Sequence, residues 1–245
     1  MGRKFKIGSI NGTPINATLA WVGVFIVVTL NFGSMDMIYT MSHLLPVDKQ
    51  LTVPTNPIVS LLFGFAAAAL VYGSILLHEI GHSEIARRNG VNVESIKLFL
   101  FGGKAEMENL PDTPMKALKI AAAGPLVSIA LIAGLLLLTI ATYNSTSPTT
   151  FAMITVLIFM NAIITVFNLV PAYPLDGGRI LRSILQMKYS EEKAHRRTLE
   201  TTKTAGFCIA VLSIQFMEPI GLVFSGFLYA ASEYNTAIEE STLNV

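Results

Sequence analysis

The stretch LVYGSILLHEIGHSEIARRNG, residues 70–90, places two histidines and a glutamate at the end of an apolar run. His78, Glu79 and His82 form the pattern HExxH. On a helix, residues four apart lie on one face, so both imidazoles can reach one metal ion. Glu79 is offset from His78 by about 100° around the helix axis, where its carboxylate can act on a water molecule beside the metal. The stretch therefore predicts a metal-binding helix.

The depth of this motif in a membrane strengthens that prediction. Arg87 follows His78 by about 14 Å of helix, at 1.5 Å of rise per residue. If Arg87 and Arg88 mark the cytoplasmic interface, the histidine pair lies inside the hydrocarbon region. Ionisable groups cost roughly 2.5–3.5 kcal/mol each at that depth, and they are functional by default. The alternative is that both histidines are interior hydrogen-bonding residues without a metal.

The composition indicates a polytopic membrane protein. Of 245 residues, 52% are hydrophobic and 13% are charged, about half the charged fraction of soluble domains. The formal net charge of +1 argues against a nucleic-acid partner. The single cysteine, Cys208, excludes both an intrachain disulfide and a cysteine-rich zinc site. Metal ligands must therefore come from histidines and carboxylates.

Six apolar runs predict an all-α membrane protein with about six transmembrane helices, because a helix needs roughly 20 residues to cross the bilayer. The last two runs are open to a second interpretation, in which residues 204–231 form one long tilted helix. Two helices are preferred, since Glu218 and Pro219 suit a turn. The runs are 17–32, 57–80, 117–141, 151–170, 198–216 and 219–231.

Lysine and arginine alternate between the connections of these runs. They precede the first run and lie between the second and third and between the fourth and fifth, whereas 33–56 holds only Lys49 and 142–150 holds none. Because cytoplasmic loops are enriched in these residues, we expect a multi-pass protein of the cell membrane with both termini in the cytoplasm. A count of five spans would place the acidic C-terminal tail outside.

The connection VNVESIKLFLFGGKAEMEN, residues 91–109, does not have a helical pattern. It is rich in β-branched and aromatic residues and is interrupted by Gly102 and Gly103. We expect a small membrane-associated β-hairpin or sheet between spans two and three. Such backbone at membrane depth must be paired or buried in protein.

A catalytic zinc needs a third protein ligand and an open position for water. The best candidate is Asp176 in FNLVPAYPLDGGRIL, residues 167–181, where the fourth run is broken by Pro171 and Pro174. The alternative for Asp176 is an N-cap of the helix that follows, a common position for aspartate after a loop. Both roles are compatible at this point.

The paired motifs closely resemble the site-2 protease family of intramembrane metalloproteases, whose pattern is HExxH followed by a distal N-x-x-P-x-x-x-x-D-G-like segment. The likeness covers about residues 10–235 and is nearest to the compact six-span prokaryotic type. Where many relatives have a histidine near the start of the first span, this chain has Asn16, Ala17 and Thr18. The matching positions are His78, Glu79, His82, Asn168, Pro171, Pro174, Asp176 and Gly177, with AAAGPLVS and the Gly102–Gly103 hairpin in support.

The resemblance implies roles for these residues. His78, His82 and Asp176 would hold one zinc ion per chain. Glu79 would be the general base, and Asn168 would contact the substrate or the oxyanion. The alternative for Asn168 is a helix C-cap at the break. We further hypothesise that the hairpin with Gly102 and Gly103 binds an unwound substrate by strand addition.

The resemblance also implies a function and a partner. The chain would be one transmembrane protease domain over residues 1–245, without a PDZ or CBS domain. It would cut a single-span regulatory membrane protein within the lipid bilayer, in regulated intramembrane proteolysis. Two alternatives are a metal transporter, which would carry further carboxylates along its spans, and an inert binding protein, against which the intact Glu79 argues.

Overall fold

The computed structural model describes residues 4–34, 51–99, 102–109, 111–215 and 219–243. Within these ranges the chain forms a small sheet and seven helices. The strands are β1 (Lys4–Ile10), β2 (Thr13–Thr18), β3 (Val93–Phe99) and β4 (Gly102–Met107). The helices are α1 (Leu19–Phe32), α2 (Pro57–Arg88), α3 (Pro114–Thr142), α4 (Pro148–Leu169), α5 (Asp176–Gln186), α6 (Glu191–Gln215) and α7 (Pro219–Leu243).

Three of the described helices, α2, α3 and α4, are long and apolar enough to cross a membrane, and α1 is a shorter apolar helix. Their outer faces carry large exposed apolar side chains such as Leu62, Leu126 and Ile140. Such surface is costly in water and favourable against lipid. Three of the six predicted spans therefore have the length and composition of membrane helices within the described residues.

Helix α2 is longer than its apolar run. It begins at Pro57, with the Asn56 side chain accepting from two backbone amides, and continues to Arg88 instead of ending near residue 80. The continuation stays helical because its inner face is buried, with Ser83 and Ala86 almost inaccessible. The HExxH motif thus lies well inside a continuous helix.

Small residues hold α2 at the centre of the helical layer. Ala67 and Ala68 pack with Ala152 and Val156 of α4 in the main apolar cluster. On the other side, a Cβ at Gly64 would overlap the backbone of α1. These close approaches are typical of helix pairs in membranes, where packing replaces the hydrophobic effect.

The sheet has the order β1-β2-β3-β4, with β2 and β3 parallel and the other pairs antiparallel. The predicted hairpin is confirmed as β3 and β4. Strands β1 and β2 were not predicted. The predicted first apolar run, 17–32, begins two residues before helix α1, because Ala17 and Thr18 belong to β2. The missed signal is Asn11-Gly12, where both residues have positive φ, as a tight hairpin turn requires.

The sheet packs against the C-terminal half of α2. Ile15 of β2 and Ile96 and Leu98 of β3 form a buried cluster with Leu76 and Ile80 of that helix. Strand β4 completes the sheet beside the HExxH motif. A single sheet thereby covers the part of α2 that carries the chemistry.

Helices α6 and α7 are two separate helices, as preferred from the sequence, and pack against each other. Ser225 donates a hydrogen bond to the Gly206 carbonyl at 2.7 Å, and Ser232 donates to the Leu199 carbonyl at 3.2 Å. Hydroxyl-to-backbone bonds of this kind join helices where small residues allow close approach. The turn predicted at residues 217–219 lies largely outside the described residues.

Candidate metal centre

Two helices bring the three side chains predicted as ligands to one point. His78 and His82 project from α2, and Asp176 is the first residue of α5. Asp176 Oδ2 lies 3.0 Å from His78 Nε2 and 3.1 Å from His82 Nε2, and the two Nε2 atoms are 3.2 Å apart. All three residues are buried. The three side chains predicted as ligands therefore converge.

The spacing of these atoms fits a zinc ion. Tetrahedral zinc with bonds of about 2.0–2.1 Å holds its ligand atoms about 3.3 Å apart. The three observed separations, 3.0, 3.1 and 3.2 Å, approach that value on every side of the triangle. Three protein ligands also leave a fourth position open, as catalytic zinc sites do.

The hydrogen bonds on the far side of the imidazoles support the same conclusion. His82 Nδ1 lies 2.7 Å from the Ile120 carbonyl oxygen, which can only accept, so Nδ1 carries the proton. In the neutral ring, Nε2 then offers a lone pair. His78 Nδ1 has Ser128 Oγ at 2.9 Å as its corresponding partner. Lone pairs that converge on a carboxylate oxygen repel one another unless a metal ion or a proton lies between them, so the arrangement is compatible with a bound metal.

Helix α3 packs closely against the two histidines. A Cβ at Gly124 would overlap the Nε2 atoms of both His78 and His82, so a glycine is required for close approach. The partners Ile120 and Ser128 lie one turn to either side of it. Their roles were not predicted, although Gly124 and Ser128 stand in the motif AAAGPLVS that supported the resemblance.

Asp176 faces the two histidines and is not a helix cap. The N-cap of α5 is Leu175, which makes no side-chain cap hydrogen bond, so the N-cap alternative for Asp176 is wrong. Its second oxygen, Oδ1, lies 3.7 Å from Arg179 Nη1 one turn along the helix. One carboxylate oxygen therefore faces the histidines, and the other faces a cation.

The loop before Asp176 is packed too tightly for side chains at the two glycines that follow. A Cβ at Gly177 would overlap the carbonyl oxygens of Leu169 and Val170, and one at Gly178 would overlap the backbone of Ala172. This explains the sequence Asp-Gly-Gly in physical terms. The chain must fold back on the end of α4 before α5 can begin.

A buried threonine fixes the same loop from α6. The Tyr173 amide donates a hydrogen bond to Thr202 Oγ1 at 2.8 Å, and Thr202 in turn donates to the Thr198 carbonyl. Thr202 is inaccessible to solvent. The hydroxyl is therefore committed to positioning the loop that carries Asp176, a role that the sequence analysis did not predict.

Glu79 lies beside the ligands but is held by the sheet. Its side chain belongs to the group of His78, Glu79 and His82 whose ligand atoms lie within 4.8 Å of one another. Its Oε2 accepts a hydrogen bond from the Ala105 amide of β4 at 2.9 Å. Gly103, on the same strand, faces the Glu79 side chain. The carboxylate is therefore adjacent to the metal position and tethered to β4.

The remaining predicted site residues lie at the ends of elements. Asn168 is half-buried in the last turn of α4, whose C-cap is Val170, so Asn168 is not the cap. Gly102 begins β4 with φ +140°, a value that glycine readily adopts. His78, His82 and Asp176 approach one another at 3.0 to 3.2 Å, and a hydrogen bond joins Glu79 to the hairpin beside them.

The family model of peptidase family M50 matches residues 66–152 and 137–213. A zinc metalloprotease of Methanocaldococcus jannaschii is 34% identical over 240 residues, covering 98% of this chain and 62% of the relative. A putative zinc metalloprotease of Synechocystis is 36% identical over 185 residues, covering 76% of this chain and 45% of the relative. The chain thus spans about half to two thirds of the length of these relatives.

Stage IV sporulation protein FB of Bacillus subtilis is 33% identical over 136 residues, covering 55% of this chain and 45% of that protein. The structure of the site-2 protease from M. jannaschii superposes with a TM-score of 0.62 at 28% identity, covering 95% of this chain and 94% of that one. Because the family model spans most of the chain and the fold agrees, this protein belongs to peptidase family M50, the site-2 proteases.

Proposed function

We propose that the protein is an intramembrane zinc metalloprotease that hydrolyses peptide bonds in transmembrane segments of membrane proteins. The observation that carries this proposal is the convergence of His78, His82 and Asp176 beside the Glu79 carboxylate, buried next to a long apolar helix segment. Buried ionisable clusters within membrane helices mark functional sites. The relatives named as zinc metalloproteases support the same activity.

The cofactor is zinc, one ion per chain, and His78, His82 and Asp176 are the residues that would hold it. When bound, zinc supplies Lewis-acid activation of the scissile carbonyl and of a water molecule. The protein's own contribution is to fix three ligands and leave one position open. Ser128 and the Ile120 carbonyl orient the two imidazoles for this task.

Glu79 acts as the general base. It takes a proton from the attacking water and later returns that proton to the leaving amine. Its Oε2 is occupied by the Ala105 amide, so Oε1 is the oxygen left for proton transfer. This division is supported by the hydrogen bond that the Ala105 amide donates to Oε2.

Substrate binding is assigned to two elements that flank the ligands. Asn168, at the end of α4, would donate its amide to the substrate backbone or the oxyanion. The outer edge of β4, at Gly102 and Gly103, would pair with the unwound substrate as an added strand. Unwinding is required because a helical substrate engages its carbonyls in internal hydrogen bonds.

The substrate would be a single-span regulatory membrane protein, cut in regulated intramembrane proteolysis. A relationship to a named sporulation protein is compatible with a regulatory role. We propose six spans with both termini in the cytoplasm of a cell-membrane protein. Residues 1–245 would then form one transmembrane protease domain.

The proposal is tested by Glu79→Gln, with Glu84→Gln as the matched control. Glu84 lies on the same helix but is partly exposed and paired with Arg88. The probe is a fluorescein-labelled synthetic transmembrane peptide of about 20 Leu and Ala residues with a central Asn-Pro pair, in liposomes. Zinc is measured by mass spectrometry of the purified protein.

Wild type and both variants should hold about one zinc per chain. Cleavage should fall about 10²- to 10⁴-fold in Glu79→Gln, the range that general acid–base catalysis contributes, and stay unchanged in Glu84→Gln. Undiminished cleavage by Glu79→Gln would contradict the proposed mechanism.

A further inference from the structure

We propose that the outer edge of β4 positions the general base, Glu79. The Ala105 amide holds the Glu79 carboxylate, and the absence of a side chain at Gly103 leaves room beside it. This inference rests on the proposed role of Glu79. It assigns to the hairpin a task in the reaction that is separate from binding substrate. The hairpin would align the carboxylate that takes the proton.

The first observation is a hydrogen bond between a backbone amide and a buried carboxylate. Ala105 N lies 2.9 Å from Glu79 Oε2, and the two residues are 5% and 8% exposed. Within the described part of the chain, this is the one hydrogen bond that the Glu79 carboxylate accepts. Hydrogen bonds to an ionised acceptor are roughly twice as strong as neutral ones.

The register of the hairpin explains why the Ala105 amide is available. Ala105 stands opposite Ile96 in the antiparallel pair of β3 and β4. Opposed residues in such a pair alternate between exchanging hydrogen bonds and directing their backbone groups outward. Because the Ala105 amide bonds Glu79 instead of β3, this position is of the outward type. The hydrogen bond to Glu79 therefore uses an amide on the outer edge of β4, and the hairpin loses no hydrogen bond by it.

The second observation is steric and concerns Gly103, two residues earlier on the same strand. A Cβ at Gly103 would lie 2.6 Å from Glu79 Cγ and 3.2 Å from Cδ. The first distance is shorter than real Cβ contacts allow, so any larger residue must displace the Glu79 side chain. Gly103 is thus required for space beside the carboxylate, whereas Gly102 has open space around its Cβ position.

These two contacts act on a side chain that is otherwise adaptable. Glutamate has several rotatable bonds, and a proton acceptor must lie within hydrogen-bond reach of the water it serves. A misplacement of about 1 Å can reduce the rate about 10²-fold. A substrate strand paired with the same edge would run beside the oriented carboxylate. Strand β4 would then both bind the substrate and orient the proton acceptor.

The test in activity is Gly103→Ala, with Gly8→Ala as control. Gly8 is also a strand residue of the sheet, but a Cβ there meets nothing within 4 Å. With the transmembrane peptide as probe, kcat should fall about 100-fold in Gly103→Ala, with zinc content and KM close to wild type. Gly8→Ala should keep the wild-type kcat. A wild-type kcat in Gly103→Ala would overturn the proposal.

A second measurement needs no substrate. In protein labelled with ¹⁵N-alanine, hydrogen exchange of the Ala105 amide should be about tenfold faster in Glu79→Ala and in Gly103→Ala, because the acceptor is removed or displaced. The Ala17 amide, in the central strand β2, is the internal control and should not change. An unchanged hydrogen-exchange rate of the Ala105 amide in Glu79→Ala would overturn the proposed hydrogen bond between Ala105 and Glu79.

The two proposals fail in distinguishable ways. If Glu79→Gln retains cleavage while Ala105 exchange responds as expected, the tether stands and the role of Glu79 as base is wrong. If Glu79→Gln is inactive while Gly103→Ala has the wild-type kcat, the base stands and the positioning role of β4 is wrong.

Discussion

The two nitrogens of each ligand histidine have different tasks. Nε2 faces Asp176, and Nδ1 faces a partner on α3, which is Ser128 for His78 and the Ile120 carbonyl for His82. A backbone carbonyl cannot be removed by substitution, but a serine hydroxyl can. Such outer partners fix the orientation and tautomer of the ring and increase its basicity.

We therefore predict that Ser128→Ala weakens zinc binding by about 10- to 100-fold, the range for lost outer partners of metal ligands. Competition with a chromogenic chelator measures the dissociation constant. Thr139→Val is the control, because its hydroxyl is on the same helix but bonds the Leu135 carbonyl within α3. Equal zinc affinity in Ser128→Ala and wild type would show that Ser128 does not orient His78.

The residues that local sequence could predict are those with short-range signatures. His78 and His82 follow from helical spacing, and Asp176 from its position after a proline-broken helix. Ser128 and Thr202 could not be predicted in this way. Their hydrogen bonds join residues 50 and 29 positions apart, and the pairing depends on how separate helices pack. Neither hydroxyl stands out by residue type among the other serines and threonines of these helices.

At the scale of elements, hydrophobic runs predicted the centres of the helices better than their ends. Helix α2 continues beyond its apolar run, and α6 begins in the charged stretch at Glu191, because burial of one face is enough to maintain a helix. The sheet was predicted only in part. Strand β1 is largely exposed, so it lacks the buried alternation by which strands are recognised.

The sheet has two outer edges, and the proposed strand addition predicts that β4 is the one that receives substrate. We expect a benzoylphenylalanine photo-cross-linker at Lys104 of β4 to capture the transmembrane peptide in the Glu79→Gln background. The same group at Ile7 of β1 is the control and should not capture it. Both side chains are exposed, and Ile7 lies at the bulge of the outer strand at the opposite edge.

Adducts are identified by the shift of the fluorescent band on a denaturing gel. Equal capture at both positions, or capture at Ile7 alone, would exclude β4 as the specific acceptor. The side chains are replaced without removing any backbone donor, so the sheet itself is left intact.

At the scale of the molecule, the metal centre constrains the topology. His82 lies near the C-terminal end of α2, and Asp176 follows the C-terminal end of α4. Because His82 Nε2 and Asp176 Oδ2 are 3.1 Å apart, these two helix ends lie at the same end of the helical layer. Helices α3 and α4 run away from this end and return, so their connection at residues 143–147 lies at the other end of the helical layer.

The distribution of positive charge assigns these faces. Lysine and arginine are abundant around α5 and the start of α6, and absent from 142–150. Cytoplasmic loops carry this excess, so residue 190 should be cytoplasmic and residue 145 external. Both positions are exposed serines, which provides a matched pair for labelling.

We predict that a membrane-impermeant maleimide labels Ser145→Cys in intact cells and labels Ser190→Cys only after the membrane is permeabilised. Both substitutions are made in a Cys208→Ala background, which removes the native thiol. Labelling of Ser190→Cys in intact cells would invert the orientation and place the metal centre near the external face. Labelling of both variants from outside would contradict the membrane crossing of α4, because residues 145 and 190 lie on either side of that helix.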